Sequence, residues 1–299
     1  MTPKSKSLLL VFALLGISLS FGLPRGAAAP APSDLWARDN LVAWCIVPFD
    51  VKKRDPAARA AMLEKLQLHR LAYDWRAEHV ATFDAEVEEM AKHHVEIVAW
   101  WFPTKLDDNA RKIFDVIARH QIHPQLWVSG GGEPVKSATE QQARIASEVK
   151  RIRPIVDEAA RLGCKVGLYN HGGWFGEPEN QLAVLAQLRA DGATNVGLVY
   201  NFHHGHDHVA RFAWMWPQIQ SSVLAVNLNG MAAVPGLKDA QKIVYLGDGQ
   251  NEAGMMRIIQ ASGWRGLVGV LNHRTDVDAE VGLARNIAGL GKLAAAISK

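Results

Sequence analysis

The chain has 299 residues, with 33 Lys plus Arg against 30 Asp plus Glu, and 48% of its residues are hydrophobic. The first 29 residues carry Lys4, Lys6 and Arg25 and no acid, so without them the basic residues fall to 30 and the charge balances. A neutral surface lacks the positive field that a phosphate backbone requires, so no nucleic-acid partner is expected.

Lys4 and Lys6 precede an apolar stretch from Leu8 to Phe21, and Gly26 to Ala31 is small and alanine-rich. That is the pattern of an export signal with its cleavage site. The apolar stretch is short for a membrane span. Residues 1–29 are therefore expected to be a signal peptide and 30–40 a lead-in. The mature protein is expected in the periplasm or outside the cell, with no stable membrane insertion once the signal is cleaved. An uncleaved N-terminal anchor is the alternative. The two cysteines, Cys45 and Cys164, show no metal or redox spacing and read as separate buried thiols.

Eight short apolar runs follow, each trailed by a helical pattern. The strands are expected at 41–47, 68–73, 96–102, 124–128, 165–169, 196–200, 223–228 and 267–271. Asp55 with Pro56 announces the first helix and Asp108 the third. Ser137 and Glu140 form a capping box before a helical region to Leu162 that Pro154 is expected to divide. Asn251 reads as the cap of a late helix, after a short extended piece at 242–246.

Eight such units in about 260 residues imply one (β/α)8 barrel, a TIM barrel, with a doubly wound open sheet as the alternative. Strand alternation sends Gly167 and Tyr169, Gly197, Val199 and Asn201, Val223, Ala225 and Asn227, and Gly269 and Leu271 inward. Leu224 and Val226 point to the helices. In a barrel of this type the active site lies at the C-terminal strand ends. Collecting those ends gives Asp74, Arg76, Trp101, Trp127, Tyr169, His171, Asn201, His204, Asn227, Asn229 and His273. Acids on nearby loops are Glu177, Glu179, Asp207, Asp248, Glu252 and Asp276. His203, His206 and His208 read as a solvated loop.

The segments LYNHGG (168–173), YNFHHGHDH (200–208), NLNG (227–230), LGDGQNE (246–252) and GLVGVLNHR (266–274) resemble the xylose-isomerase-like barrel family, the sugar phosphate isomerase/epimerase group. The resemblance spans the mature chain. It implies a divalent metal held by Glu, Asp, His and Glu at the ends of the last four strands, with the glutamates moving protons between sugar carbons. Here those positions fall on Tyr169, Asn201, Asn227, and Leu271 or Asn272. His171 and His204 match histidines of the pattern. Neutral amides are weak ligands for hard cations, so no cofactor is expected. A divalent metal recruited by His171, His204 and a loop carboxylate is the alternative.

What remains is a hydrogen-bonding pocket with imidazoles and indoles, suited to a small carbohydrate. The expected activity is proton transfer next to a carbonyl of a sugar or keto-sugar: epimerisation, enolisation, or elimination and hydration. His171 and His204 are the expected acid/base pair, with Glu252 as a further catalytic candidate. Asp74, Arg76, Trp101, Trp127, Tyr169, Asn201, Asn227, Asn229 and His273 are expected to bind the substrate. A non-catalytic carbohydrate-binding barrel is the alternative. A nuclease-like barrel is disfavoured by the neutral charge and by the missing metal-binding carboxylates.

Overall fold

The computed structural model describes residues 35–233 and 239–298. The expected signal peptide lies outside them. Eight parallel strands close a barrel: β1 (Leu41–Trp44), β2 (Arg70–Tyr73), β3 (Glu96–Phe102), β4 (Gln125–Val128), β5 (Lys165–Tyr169), β6 (Val196–Asn201), β7 (Val223–Leu228) and β10 (Leu267–Leu271). β10 pairs with both β7 and β1, which completes the ring. A two-stranded antiparallel ribbon, β8 (Gly230–Met231) with β9 (Ile243–Val244), rises from the end of β7. No helix among the described residues is long and apolar enough to cross a membrane.

Alternation divides the barrel core as strand sterics require. Val42, Trp44, Ala72, Trp127, Tyr169, Val199, Ala225 and Leu271 pack inside. Leu71, Leu126, Leu168, Leu198, Val226 and Val270 pack outward with the helices. The expected parity fails at the start of β7. The β6–β7 register shifts between Leu198 and Val199, Val223 joins the outer layer, and Leu224 crowds the missing side chain of Gly197. The bulge reverses the alternation for those two residues.

The helices are α1 (Pro56–Lys65), α2 (Phe83–Lys92), α3 (Asp108–His120), α4 (Ala138–Arg161), α5 (Gly173–Gly176), α6 (Pro178–Ala190), α7 (Phe212–Ile219), α8 (Asp239–Lys242), α9 (Glu252–Ala261) and α10 (Ala279–Ile297). Asp55 caps α1 through the amide of Ala58 at 2.8 Å. α3 is capped one residue earlier than expected, by Asp107 on the amide of Ala110. Pro154 does not divide α4, which runs unbroken with Ile152, Ile155 and Val156 buried on either side. Burial of that face outweighs the one backbone bond the proline removes. The described part of the expected lead-in, from Leu35 on, joins the packed core: Leu35 and Trp36 are buried and Trp36 Nε1 donates to Gln260 at 2.6 Å. Cys45 and Cys164 are free and buried.

One ion pair is closed off from water. Arg59 on α1 donates to Glu86 on α2 at 2.5 Å, and the two side chains are 2% and 1% exposed. Arg59 also donates to the carbonyl of Arg54, pinning α1 to the loop before it.

Candidate active site

The C-terminal ends of the strands surround a pocket. β1 and the turn after it supply Trp44, Cys45 and Phe49, and the end of β2 supplies Asp74 and Arg76. Trp101 stands on β3, with Tyr169 and His171 at the end of β5. Asn201, His203 and His204 come from β6, and His273 follows β10. Eight of the expected residues therefore meet: Asp74, Arg76, Trp101, Tyr169, His171, Asn201, His204 and His273.

The floor is a hydrogen-bonded aromatic layer. The hydroxyl of Tyr169 accepts from Trp44 Nε1 at 3.1 Å and from the amide nitrogen of Asn201. Burial, with Cys45 nearby, pushes the Tyr169 phenol well up, so it stays protonated. Trp127 lies beneath, its ring edge-on to Trp44 at 4.8 Å and its Nε1 donating to Gln125. Trp127 is thus a floor support rather than a sugar platform.

Of the amides expected to orient substrate, Asn201 alone lines the pocket. Asn201 accepts from the amide of His203 at 3.0 Å as well as bonding Tyr169, so it shapes the histidine turn. Asn227 is fully buried below the pocket, its carbonyl oxygen filling the space over Gly269. Asn229 is fully buried and donates to the carbonyl of Gly230. Asn227 and Asn229 do not line the pocket.

Glu252 is also misplaced as a catalytic group. It is fully buried at the start of α9 and accepts from the amides of Met231, Gly247 and Gly249 at 3.0, 3.2 and 2.9 Å. It does the anchoring expected of Asn251, whose side chain makes no cap bond. Glu252→Ala should leave three amides without an acceptor and cost about 3 kcal/mol, read as a lower Tm. Glu252→Gln, which keeps an acceptor oxygen, should cost less and retain turnover.

Four imidazoles form a chain along one wall. His171 and His204 have ring centroids 4.4 Å apart, His203 and His204 stack at 4.2 Å, and His203 meets His273 at 4.8 Å. His273 also stacks on Phe49 at 4.1 Å. The solvated-loop reading of three histidines does not hold. His203 is buried in the pocket wall. His208 is buried, with its Nδ1 3.0 Å from the hydroxyl of Tyr200. His206 reaches the carbonyls of His203 and Lys242. Burial lowers the His204 pKa to about 2, aided by His203, His171, His273 and Lys242. His204 is therefore a neutral imidazole, able to donate or accept a hydrogen bond but a weak base.

The opposite corner holds a buried acid. Asp74 is 1% exposed. Its Oδ1 accepts from the amides of Val47 and Ile46 at 3.1 and 3.3 Å, while Oδ2 has no hydrogen-bond partner. Burial raises its pKa to about 7 against the charge of Arg76 and the two amide bonds. Arg76 does not pair with it. The guanidinium Nη1 donates to the carbonyls of Asp74 and Trp75 at 2.9 and 2.8 Å, and the group sits over Phe49.

The pocket's β1 contribution and His203 were not foreseen. Cys45 and His273 both have left-handed backbone, at φ 55° and 46°. Such strain in non-glycine residues clusters at functional sites. His273 N donates to the carbonyl of Cys45 at 3.2 Å, which ties the two turns together.

The family's metal centre does not fit this donor set. Its positions carry a phenol, two amides, and Leu271 or Asn272. Among the described residues, no three His, Cys, Asp or Glu side chains are arranged to hold a metal ion. The loop carboxylates named from the sequence have other partners or face solvent, and Glu177 also lies 3.5 Å from His208 Nε2. Glu177 and Glu179 bind Arg211, Asp248 binds Arg285, Asp276 binds Arg274, and Asp207 is exposed.

The fold is that of the xylose-isomerase-like TIM barrels. IolI, solved with a zinc atom bound, superposes with a TM-score of 0.66 at 14% identity, over 86% of this chain and 98% of its own. The 3-keto-D-glucoside 4-epimerase YcjR from E. coli gives 0.61 at 12%, over 85% and 98%. A xylose isomerase domain protein from Alicyclobacillus acidocaldarius gives 0.60 at 19%, over 88% and 100%. No protein-family profile matches the chain, and no curated protein matches it in sequence.

Proposed function

We propose that the protein is a sugar isomerase/epimerase-like enzyme that moves a proton next to the carbonyl of a sugar or keto-sugar. The observation that carries this is the convergence, in one pocket, of the buried Asp74 carboxyl and the His171–His204 pair. A carboxyl that titrates near neutral pH suits general acid–base work. Asp74 takes the proton from the carbon beside the carbonyl and the electrons pass to the carbonyl oxygen; as they return, the carbon takes a proton back from Asp74, or from His171 charged beforehand by solvent, in which case Asp74 gives its own proton to solvent. His204, neutral, donates a hydrogen bond to the oxygen as charge develops there. Trp101, partly exposed on the wall, offers an apolar face to the sugar. The fold shared with a sugar epimerase supports this reading. The leader-like residues 1–29 support a place of action in the periplasm or outside the cell.

The test is turnover of His171→Ala and His204→Ala. Each should lose about 10²-fold or more while the Tm stays within a few degrees of the parent. Unchanged turnover in both would remove the histidines from the chemistry.

A further inference from the structure

A second group of side chains joins the two turns that carry His171 and His204. His208, after β6, is buried, with 4% of its side chain exposed. Its Nδ1 lies 3.0 Å from the hydroxyl of Tyr200, and its Nε2 lies 3.5 Å from Glu177 Oε2. One neutral tautomer serves both contacts. Burial pushes the Tyr200 phenol up, so it keeps its proton and donates it to Nδ1. Nε2–H then faces Glu177. The His208 contact, against burial and with help from Arg211, holds the Glu177 carboxyl below the ordinary carboxylate range. Glu177 is therefore ionised at neutral pH.

Each partner of His208 touches one of the two turns. The Tyr200 hydroxyl packs against Gly205, where a Cβ would lie 2.6 Å from it. Gly205 follows His204, and its carbonyl accepts from the amide of His208 at 3.0 Å. Glu177 follows Gly176, which packs on the backbone of His171; a Cβ there would lie 3.4 Å from the N and C atoms of His171. His208 thus spans from the turn behind His204 to the turn behind His171, whose ring centroids are 4.4 Å apart. Arg211 also ties Glu177, but that pair is 33% and 45% exposed, and a solvated ion pair holds weakly.

We propose that His208 is a positioning residue, which clasps these two turns through Tyr200 and Glu177 and so sets the separation of His171 and His204. This rests on the acid–base reading of that pair. His208 does not line the pocket and acts only through the geometry of the two rings. A shift of about 1 Å between reacting groups is enough to cost about 10²-fold in rate.

The experiment is nuclear magnetic resonance of the full-length protein with labelled histidines, alongside exchange kinetics in heavy water with D-fructose, D-tagatose and D-glucose. The parent should show cross-relaxation between the ring protons of His171 and His204. In His208→Leu that contact should weaken. On a sugar the parent exchanges, kcat should then fall about ten-fold or more while KM stays within about three-fold. His208→Gln, long enough to keep a donor toward Glu177, should recover part of both. If His208→Leu does not fold, Glu177→Ala, at a half-exposed residue, gives the same two readings. A folded His208→Leu or Glu177→Ala protein that keeps the parent's ring contact overturns the proposal, as does a weakened contact with unchanged kcat. A weakened contact in a protein that exchanges no sugar leaves the clasp standing and removes the acid–base reading of the pair.

Discussion

Asp74→Asn should lower turnover by between 10² and 10⁴, the usual worth of a positioned acid or base, and should at the same time make the protein more stable above pH 7. The two effects share one cause. The carboxyl is out of water, held by two amides through one oxygen only, and burial puts its pKa near 7. Below about pH 4 it is protonated in both folded and unfolded chains and makes no difference. Between about 4 and 7 the unfolded chain releases the proton that the fold retains, so stability falls as pH rises. The loss approaches about 4 kcal/mol in the limit. Asparagine keeps an acceptor for the amides of Ile46 and Val47 and removes that cost. Tm measured from pH 4 to 8 should show the variant's advantage growing with pH and levelling off past 7. A variant that loses stability across this range would show Asp74 to be a structural cap.

The second large effect is on folding alone. Arg59→Met should destabilise the barrel by about 3–5 kcal/mol, because it leaves the Glu86 carboxylate buried without its partner. Burial already raises the Glu86 pKa, with Arg59 opposing. Without the guanidinium the carboxyl must hold its proton to stay folded. The penalty should therefore be small near pH 4 and grow as pH rises. Arg59→Met combined with Glu86→Leu should recover much of the loss, since an apolar pair of similar volume removes both charges. Urea unfolding at pH 5 and pH 8 measures all of this.

Much of the barrel was legible because β5, β7 and β10 are short, apolar and bounded by polar residues, and the structure ends them where the sequence does. The alternation that placed Tyr169 and Leu271 inside is a property of the strand itself. Depth along the barrel axis is not. Asn227 points inward as expected, yet it lies under the pocket because Gly269 beside it leaves a hole that the amide fills. The β1 turn was missed because Cys45 enters left-handed backbone, which no cysteine announces in sequence. Glu252 looked available as a loop acid, and only the fold brings the amides of Met231 and Gly247 onto it. Asp74 was visible as a strand-end acid. Its role depends on burial, which raises its pKa against the charge of Arg76 and which its place in the sequence does not show.

In the proposed reaction this mouth moves protons on a sugar with Asp74 and imidazoles, where the resemblance implies metal-bound glutamates. The most direct measurement is solvent exchange in heavy water by the chelator-treated protein, against a panel of aldoses, ketoses, 3-keto-sugars and their acids. Deuterium is expected at a carbon adjacent to the carbonyl of at least one sugar, and is expected to be lost in Asp74→Asn. Binding of a sugar with no deuterium at any carbon would contradict it and leave a carbohydrate-binding barrel.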